Sequence, residues 1–220
     1  MKIYGISDKS KAIIFDIDNT LYRNPEYVKD QRDRLLGRFA QEKKLSFPEA
    51  KEMIESCIKQ GSQAGANKTS MGNAFLAYGI PISQSVAWRE ELCCPEQFLT
   101  ADAELIKTLK ELAKRYILLA VTNNPRQIGI RTLSVLGVAS FFTSICGLDD
   151  TGVSKPAAEP FIKAADDAGA EPSDIISVGD RYEIDIAVPL SMGMGGILVE
   201  SMDDVYRLPA VLAGKRGGHR

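Results

Sequence analysis

A chain of 220 residues with 45% hydrophobic and 25% charged content has room for one core domain and an insertion. The formal net charge of −2 and pI near 5.6 offer no basic field for nucleic acid, which is therefore not an expected partner. No apolar run approaches the ~18–20 residues that span a bilayer, and residues 1–11 lack the long apolar stretch of a signal peptide, so the expected location is the cytoplasm, with no membrane partner.

Residues 11–15 (KAIIF) form a short apolar run ending at Asp16 and read as a buried strand. Residues 22–99 then hold no strand pattern. Helices are predicted over 27–44, 47–60, 71–78 and 83–93, with Ser46 and Glu49 forming a capping box at one start. A mostly helical block inserted after the first strand reads as a cap domain, 22–99, on a core made of 1–21 and 100–220.

From residue 103 the rhythm changes. The 103–114 segment places Leu105, Ile106, Leu109, Leu112 and Ala113 on one helical stripe, with lysines opposite. A strand over 116–121 (YILLAV) precedes a helix over 125–136, which starts with Pro125 after Asn123-Asn124 and stops at Gly137. Strands over 142–146, 174–178 and 196–199 alternate with helices over 160–168, closed by Gly169, and 183–192, which Pro189 shortens or kinks. Strands alternating with helices predict an α/β fold, a doubly wound Rossmann-like parallel sheet with an inserted helical cap. Gly193, Gly195 and Gly196 follow no G-x-G-x-x-G order and suit a tight turn.

The four cysteines, at 57, 93, 94 and 146, lack CxxC spacing and read as reduced thiols; bridging Cys93 to Cys94 would strain the ring. The single histidine, His219, lies in a Gly/Lys/Arg-rich tail over 214–220 that reads as frayed and is too short to assert anion binding. A Ser-His-Asp triad, a phosphohistidine or a His-ligated zinc needs an imidazole held in the fold. The chemistry must therefore run on carboxylates, hydroxyls and lysine.

Such residues stand after the predicted strands. Asp16 and Asp18 follow the first (FDIDNT), Thr122 ends the second (AVTNN), Lys155 follows the third after a loop (GVSKP), and Asp180 and Asp185 follow the fourth (VGDRYEID). Each also has a local reading: Asp18 to Thr20 as a turn, Thr122 with Asn123 and Asn124 as a helix cap, Lys155 as an exposed loop lysine, Gly179-Asp180 as a turn. Open α/β sheets bind ligands at the carboxyl ends of their strands, so four sets on one rim favour a site.

Together, Asp-x-Asp-x-Thr, the strand-end Thr, Lys-Pro and Gly-Asp-x4-Asp resemble the haloacid dehalogenase superfamily, from Lys11 to about Glu200. The resemblance is to phosphatases with a helical cap in the first insertion position. It implies a Mg²⁺-dependent phosphomonoester hydrolase acting on a small phosphorylated metabolite. In that role Asp16 attacks phosphorus and forms an aspartyl-phosphate, and Asp18 serves as acid and then base. Thr122 and the Asn123 N–H bind phosphate oxygens, and Lys155 supplies positive charge. Mg²⁺ would be held by Asp16, Asp180 and the backbone carbonyl of Asp18, with Asp185 an outer anchor or water-mediated ligand.

Arg23, where the chain enters the cap, and Arg181, beside Asp180, are candidate substrate contacts; solvated surface and pairing with Glu183 are their alternatives. A dehalogenase of the same superfamily is disfavoured by Asp18, and a sugar-phosphate mutase by Asn19, which replaces the glycine of that subgroup's first motif. A non-catalytic binding protein on the same fold is a further alternative. FDIDNTLY is similar to pyrimidine nucleotidase-like members, whereas VGDRYEID resembles the broader phosphatase group. Nucleoside monophosphates, phosphoglycolate and sugar phosphates therefore all stay open as substrates, and the oligomeric state is not fixed.

Overall fold

The computed structural model describes residues 1–63 and 70–215; His219 and the basic tail beyond 215 lie outside the described residues. Six strands, β1 (Lys2–Tyr4), β2 (Ala12–Phe15), β3 (Ile117–Val121), β4 (Phe142–Cys146), β5 (Ile175–Gly179) and β6 (Gly195–Leu198), form one sheet in the order β1-β6-β5-β2-β3-β4. The middle strand β2 pairs in parallel with β3 on one side and β5 on the other. Covered on both edges and both faces, it is an unbroken apolar run, AIIF, buried throughout.

Register fixes the rim. Phe15 stands opposite Ala120 of β3 and Val178 of β5, so Asp16, Thr122 and Asp180 leave the sheet at the same edge. The chain continues from β2 to β3 and β4 on one side and returns to β5 and β6 on the other. The rim above β2 is thus the topological switch point where open α/β sheets hold ligands.

The parallel sheet expected from sequence carries one correction. The short edge strand β1 runs antiparallel to β6, with Lys2 opposite Leu198. Its three residues, KIY, are half-exposed or exposed and give no apolar run to read.

Eleven α-helices are found among the described residues. The first four, α1 (Pro25–Lys43), α2 (Phe47–Gln63), α3 (Met71–Ala77) and α4 (Ile82–Leu92), fall between β2 and β3. Next come α5 (Ala103–Leu112), α6 (Arg126–Val135), α7 (Leu148–Thr151), α8 (Glu159–Ala168) and α9 (Ala187–Ser191), with α10 (Met202–Tyr206) and α11 (Leu208–Lys215) after β6. Three of these, α7, α10 and α11, are absent from the sequence reading. The segment holding Pro189 is indeed short: one wide turn over Tyr182–Ile186 leads into the five residues of α9.

Strand alternation sorts the core into two layers. Ile13, Phe15, Leu118 and Ala120 pack with Leu105 and Leu109 of α5 and Leu208 and Leu212 of α11. Ala12, Ile14, Leu119 and Val121 pack with Phe161, Ala164 and Ala165 of α8.

Helices α1 to α4 bury a third cluster of their own, including Leu36, Phe39, Ile54, Phe75 and Trp88. Phe39 stacks on Phe75 with ring centroids 5.3 Å apart, and Trp88 meets Phe75 edge-on at 5.8 Å. The expected capping box is present: the Ser46 N–H donates to Glu49 Oε2 at 2.8 Å. Asn24 accepts from the Tyr27 N–H at 3.0 Å to start α1 and donates to the Phe98 carbonyl at 2.8 Å. One residue thereby ties together the two crossings between the helical block and the sheet. All four cysteines are free, and among the described residues no helix is long and apolar enough to cross a membrane.

Candidate active site

Asp16 leaves β2 with its N–H donated to the Val178 carbonyl at 2.9 Å, which fixes the carboxylate over the sheet edge. Asn19 takes a left-handed backbone conformation, φ 63°, which asparagine tolerates better than most side chains. That turn brings Thr20 back onto the preceding strand end, where its hydroxyl donates to Asp16 Oδ2 at 2.9 Å. The Lys155 ammonium donates to Asp16 Oδ1 at 2.6 Å.

Lys155 is 1% exposed, so the reading of it as a loop lysine in solvent does not hold. Its Nζ also donates to Asp185 Oδ1 at 2.8 Å. Its main chain is clamped by Asn123: the Lys155 N–H donates to Asn123 Oδ1 at 2.7 Å, and Asn123 Nδ2 donates to the Lys155 carbonyl at 3.1 Å. Burial alone would lower the lysine pKa, but Asp16 and Asp185 outweigh it and hold the pKa above its ordinary value. Burial pushes the Asp185 carboxyl the other way, upward. Yet both its oxygens accept from N–H donors, Lys155 Nζ and the Arg181 N–H at 3.1 Å, an arrangement that suits the carboxylate.

Asp18 faces another way. Tyr22 Oη donates to its Oδ1 at 2.6 Å, and Thr122 Oγ1 and Asn124 Nδ2 donate to its Oδ2 at 3.2 and 3.1 Å. Burial first, and the neighbouring Asp16 second, raise its pKa above the usual carboxylate range, against the pull of Tyr22 and Thr122. Thr122 Oγ1 also accepts from the Asn124 N–H at 3.0 Å, so the local turn and the contact to Asp18 coexist in one side chain.

The carboxylate oxygens of Asp16, Asp180 and Asp185 can lie within 4.8 Å of one another. Asp180 Oδ1 is buried without a hydrogen-bond partner, the Arg181 Nε standing 3.5 Å away. Burial and then Asp16 push the Asp180 carboxyl up to about 6. An orphaned oxygen in an all-carboxylate set fits a hard divalent cation with oxygen preference, such as Mg²⁺. The Asp18 carboxylate is not part of that set, which leaves its backbone carbonyl for the role given it above. Gly179 allows the cluster to close, because a Cβ there would stand 2.3 Å from the Asp185 Cβ.

A cavity of about 220 Å³ opens beside these groups, lined by Asp18, Asn19, Asn123, Asn124 and Arg181 from the core. Gln31, Arg32, Ser70, Gly72 and Arg89 of the helical block are on its other wall. Arg181 is partly exposed and leans toward Asp180 and Asp185, at 3.5 and 4.0 Å. Arg23 is not brought here: it is exposed and lines a separate groove with Asn24, Thr100 and Asp102. Thr20, Tyr22 and Asn124 were missed as site residues although they lie inside or beside the motifs. Their contacts depend on the turn at Asn19 and on the first turn after β3.

Residues 10–193, well over half of the chain, match the family described as haloacid dehalogenase-like hydrolases. The glyceraldehyde 3-phosphate phosphatase of Methanocaldococcus jannaschii is 28% identical over 189 residues, 84% of this chain and 82% of that protein. The 5-amino-6-(5-phospho-D-ribitylamino)uracil phosphatase YigB of Escherichia coli is 26% identical over 215 residues, 88% of this chain and 85% of that one. The crystal structure of a HAD phosphatase from Thermococcus onnurineus shares the fold, with a TM-score of 0.66 at 22% identity over 94% of this chain and 99% of that chain. With the carboxylates, the lysine and the threonine gathered on one rim, this chain belongs to the haloacid dehalogenase-like hydrolases and is a phosphatase of that family.

Proposed function

We propose that the chain is a Mg²⁺-dependent phosphomonoester hydrolase that passes through an aspartyl-phosphate on Asp16 and acts in the cytoplasm on a small phosphorylated metabolite. Residues 1–21 and 100–220 form the catalytic core in this reading, and 22–99 the cap. The observation that carries it is the buried Asp16–Lys155–Asp185 array with the orphaned Asp180 oxygen beside it. A carboxylate nucleophile approaching a phosphate dianion meets repulsion of about 4 kcal/mol per charge pair at ~4 Å and an effective dielectric of ~20. Lys155 offsets part of it. Held by Asp16, Asp180 and the Asp18 carbonyl, with Asp185 as an outer anchor or water-mediated ligand, Mg²⁺ would supply the remaining positive charge at the phosphate oxygens.

An oxygen of Asp16 forms the bond to phosphorus as the ester oxygen leaves. The raised pKa of Asp18 suits it to carry the proton given to that oxygen. Asp18 then takes a proton from a water that attacks the aspartyl-phosphate, releasing inorganic phosphate and restoring Asp16. Thr122 and the Asn123 N–H hold phosphate oxygens, with Arg181 at the cavity mouth. Asp18, Tyr22 and Thr122 make a proton-transfer station that a dehalogenase has no use for, which favours ester hydrolysis over halide displacement.

The test is hydrolysis of p-nitrophenyl phosphate by the purified protein and by Asp16→Asn. The substitution keeps the size and removes the attacking charge, so kcat falls by at least ~10³-fold, the scale found when covalent nucleophiles are removed. Near-normal turnover in Asp16→Asn would overturn the mechanism.

A further inference from the structure

Arg89 of α4 is a buried charge that the phosphate chemistry above does not use. It is 5% exposed, on a helix that packs its neighbour Trp88 into the core of the cap. Its Nη1 donates to the hydroxyl and the carbonyl of Ser85, one turn earlier. Nη2 faces Gly72, where an added Cβ would stand 4.0 Å from it, and both residues line the cavity that Asp18 and Asn123 line.

Among the described residues no carboxylate lies within ion-pairing distance of this guanidinium. The sequence 64–69, AGANKT, contains no acidic residue that could supply one. Burial works against the charged form, relieved only by Cys93 and Asp18 at longer range. Arg32 lines the same cavity; its Nε is buried without a hydrogen-bond partner and stands 3.5 Å from Asp33 Oδ1. Asp33 is shared: its Oδ1 faces Arg32, while its Oδ2 accepts from Lys29 at 2.7 Å. With Arg181, three guanidiniums and a single carboxylate, Asp18, line one cavity. Packing does not call for this charge, since Leu or Met would fill a cap helix at least as well as a buried arginine without an acidic partner.

We propose that Arg89, assisted by Arg32, forms an anion subsite on the cap that receives a second acidic group, a carboxylate or a second phosphate, of the phosphomonoester substrate. The inference rests on the phosphatase reading above and narrows its substrate class to phosphomonoesters that carry a second acidic group at the opposite end. The guanidinium fork suits either anion, since both accept two parallel N–H donors.

The test compares matched esters: 2-phosphoglycolate with 2-hydroxyethyl phosphate, 6-phosphogluconate with glucose 6-phosphate, and fructose 1,6-bisphosphate with fructose 6-phosphate. In the wild-type protein with Mg²⁺, at least one acidic member exceeds its neutral partner in kcat/KM by roughly 10- to 100-fold, the range of a charge-assisted hydrogen bond. Whether the first two pairs or the third shows the gap separates carboxylate from phosphate. In Arg89→Met the ratio for that pair drops to within about threefold of one, and Arg89→Lys recovers part of it. A role in cap stability alone would lower both members together and leave the ratio intact, which would overturn the proposal, as would three wild-type ratios near one. Calorimetric binding of the same pairs to Asp16→Asn reads the subsite without turnover. If no ester is hydrolysed, the function proposed above fails, while the binding ratio still decides the subsite. If Arg89→Met does not fold, Arg89→Lys and Arg32→Met carry the comparison.

Discussion

Replacing Lys155 by methionine probes what the ammonium contributes when no substrate is present. The side chain is of similar length, so little cavity is left and the loss is electrostatic. Asp16 and Asp185 accept from this ammonium at 2.6 and 2.8 Å, and none of the three side chains is more than 2% exposed. Removing one partner of a buried ion pair costs about 3–5 kcal/mol, because the remaining charge stays out of water. Here two carboxylates lose the same cation, with Asp180 close by, so the upper part of that range is expected. Against a total stability of about 5–15 kcal/mol for a domain, the loss is large. Urea unfolding followed by far-UV circular dichroism, in chelator, measures it as a lower midpoint at an unchanged slope. Millimolar Mg²⁺ restores part of the loss, since a divalent cation on the same carboxylates replaces some of the missing charge. A Lys155→Met protein within 1 kcal/mol of the wild type in chelator would refute this account of the array.

Chelator abolishes ester hydrolysis and Mg²⁺ restores it, whereas Ca²⁺ supports it poorly because its larger, looser shell misplaces the nucleophile; full turnover in excess chelator would remove the metal from the scheme. Gly147→Ala places a Cβ 2.1 Å from the Arg126 backbone nitrogen and 2.5 Å from its Cα. Main-chain atoms cannot rotate aside, so about 2–3 kcal/mol is lost and the thermal midpoint drops; an unchanged midpoint counts against the close approach. Asp102 caps α5 through the Glu104 and Leu105 N–H groups, each at 2.9 Å, and accepts from Tyr206 Oη at 2.7 Å. Asp102→Ala costs about 1–2 kcal/mol by chemical denaturation, and Asp102→Asn, which can still accept, costs less.

The sheet was legible because its middle strands are buried on all sides. AIIF and YILLAV are continuous apolar runs, IISV is broken only by Ser177, and the candidate site residues Asp16, Thr122 and Asp180 follow them at the rim. The antiparallel β1 escaped because an edge strand of three residues need satisfy neither the alternation nor the apolar run. Short α7, α10 and α11 escaped for a similar reason, since helices of four to eight residues show little periodicity. Within the site, Asp16, Asp18, Thr122, Lys155, Asp180 and Asp185 were found by position after strands, and the structure gathers them on one rim. Asn123 was read for its N–H, but its side chain also clamps the main chain of Lys155 from 32 residues away in sequence, which no local pattern reveals. Arg23 looked equivalent to Arg181 in sequence, each next to a motif. The chain turns it outward at the entry to α1. Arg89 was invisible for the opposite reason: in AWREEL it is followed by two exposed glutamates, and only the packing of Trp88 shows that this helix face points inward.

The loop between α7 and α8 is gripped from two sides. Ser154 exchanges hydrogen bonds with the helical block, through Ser70 Oγ at 2.8 Å and Asn73 Oδ1 at 3.0 Å, while the next residue, Lys155, is clamped by Asn123 of the rim. The two grips share no side chain. Ser70 and Asn73 of the helical block hold only the serine, while the lysine is held by Asn123, Asp16 and Asp185 of the sheet domain. If the helical block selects the substrate as proposed, its contact to the sheet domain and the hold on the lysine meet at a single peptide bond, and changes in α3 are expected to leave the charge that faces Asp16 in place.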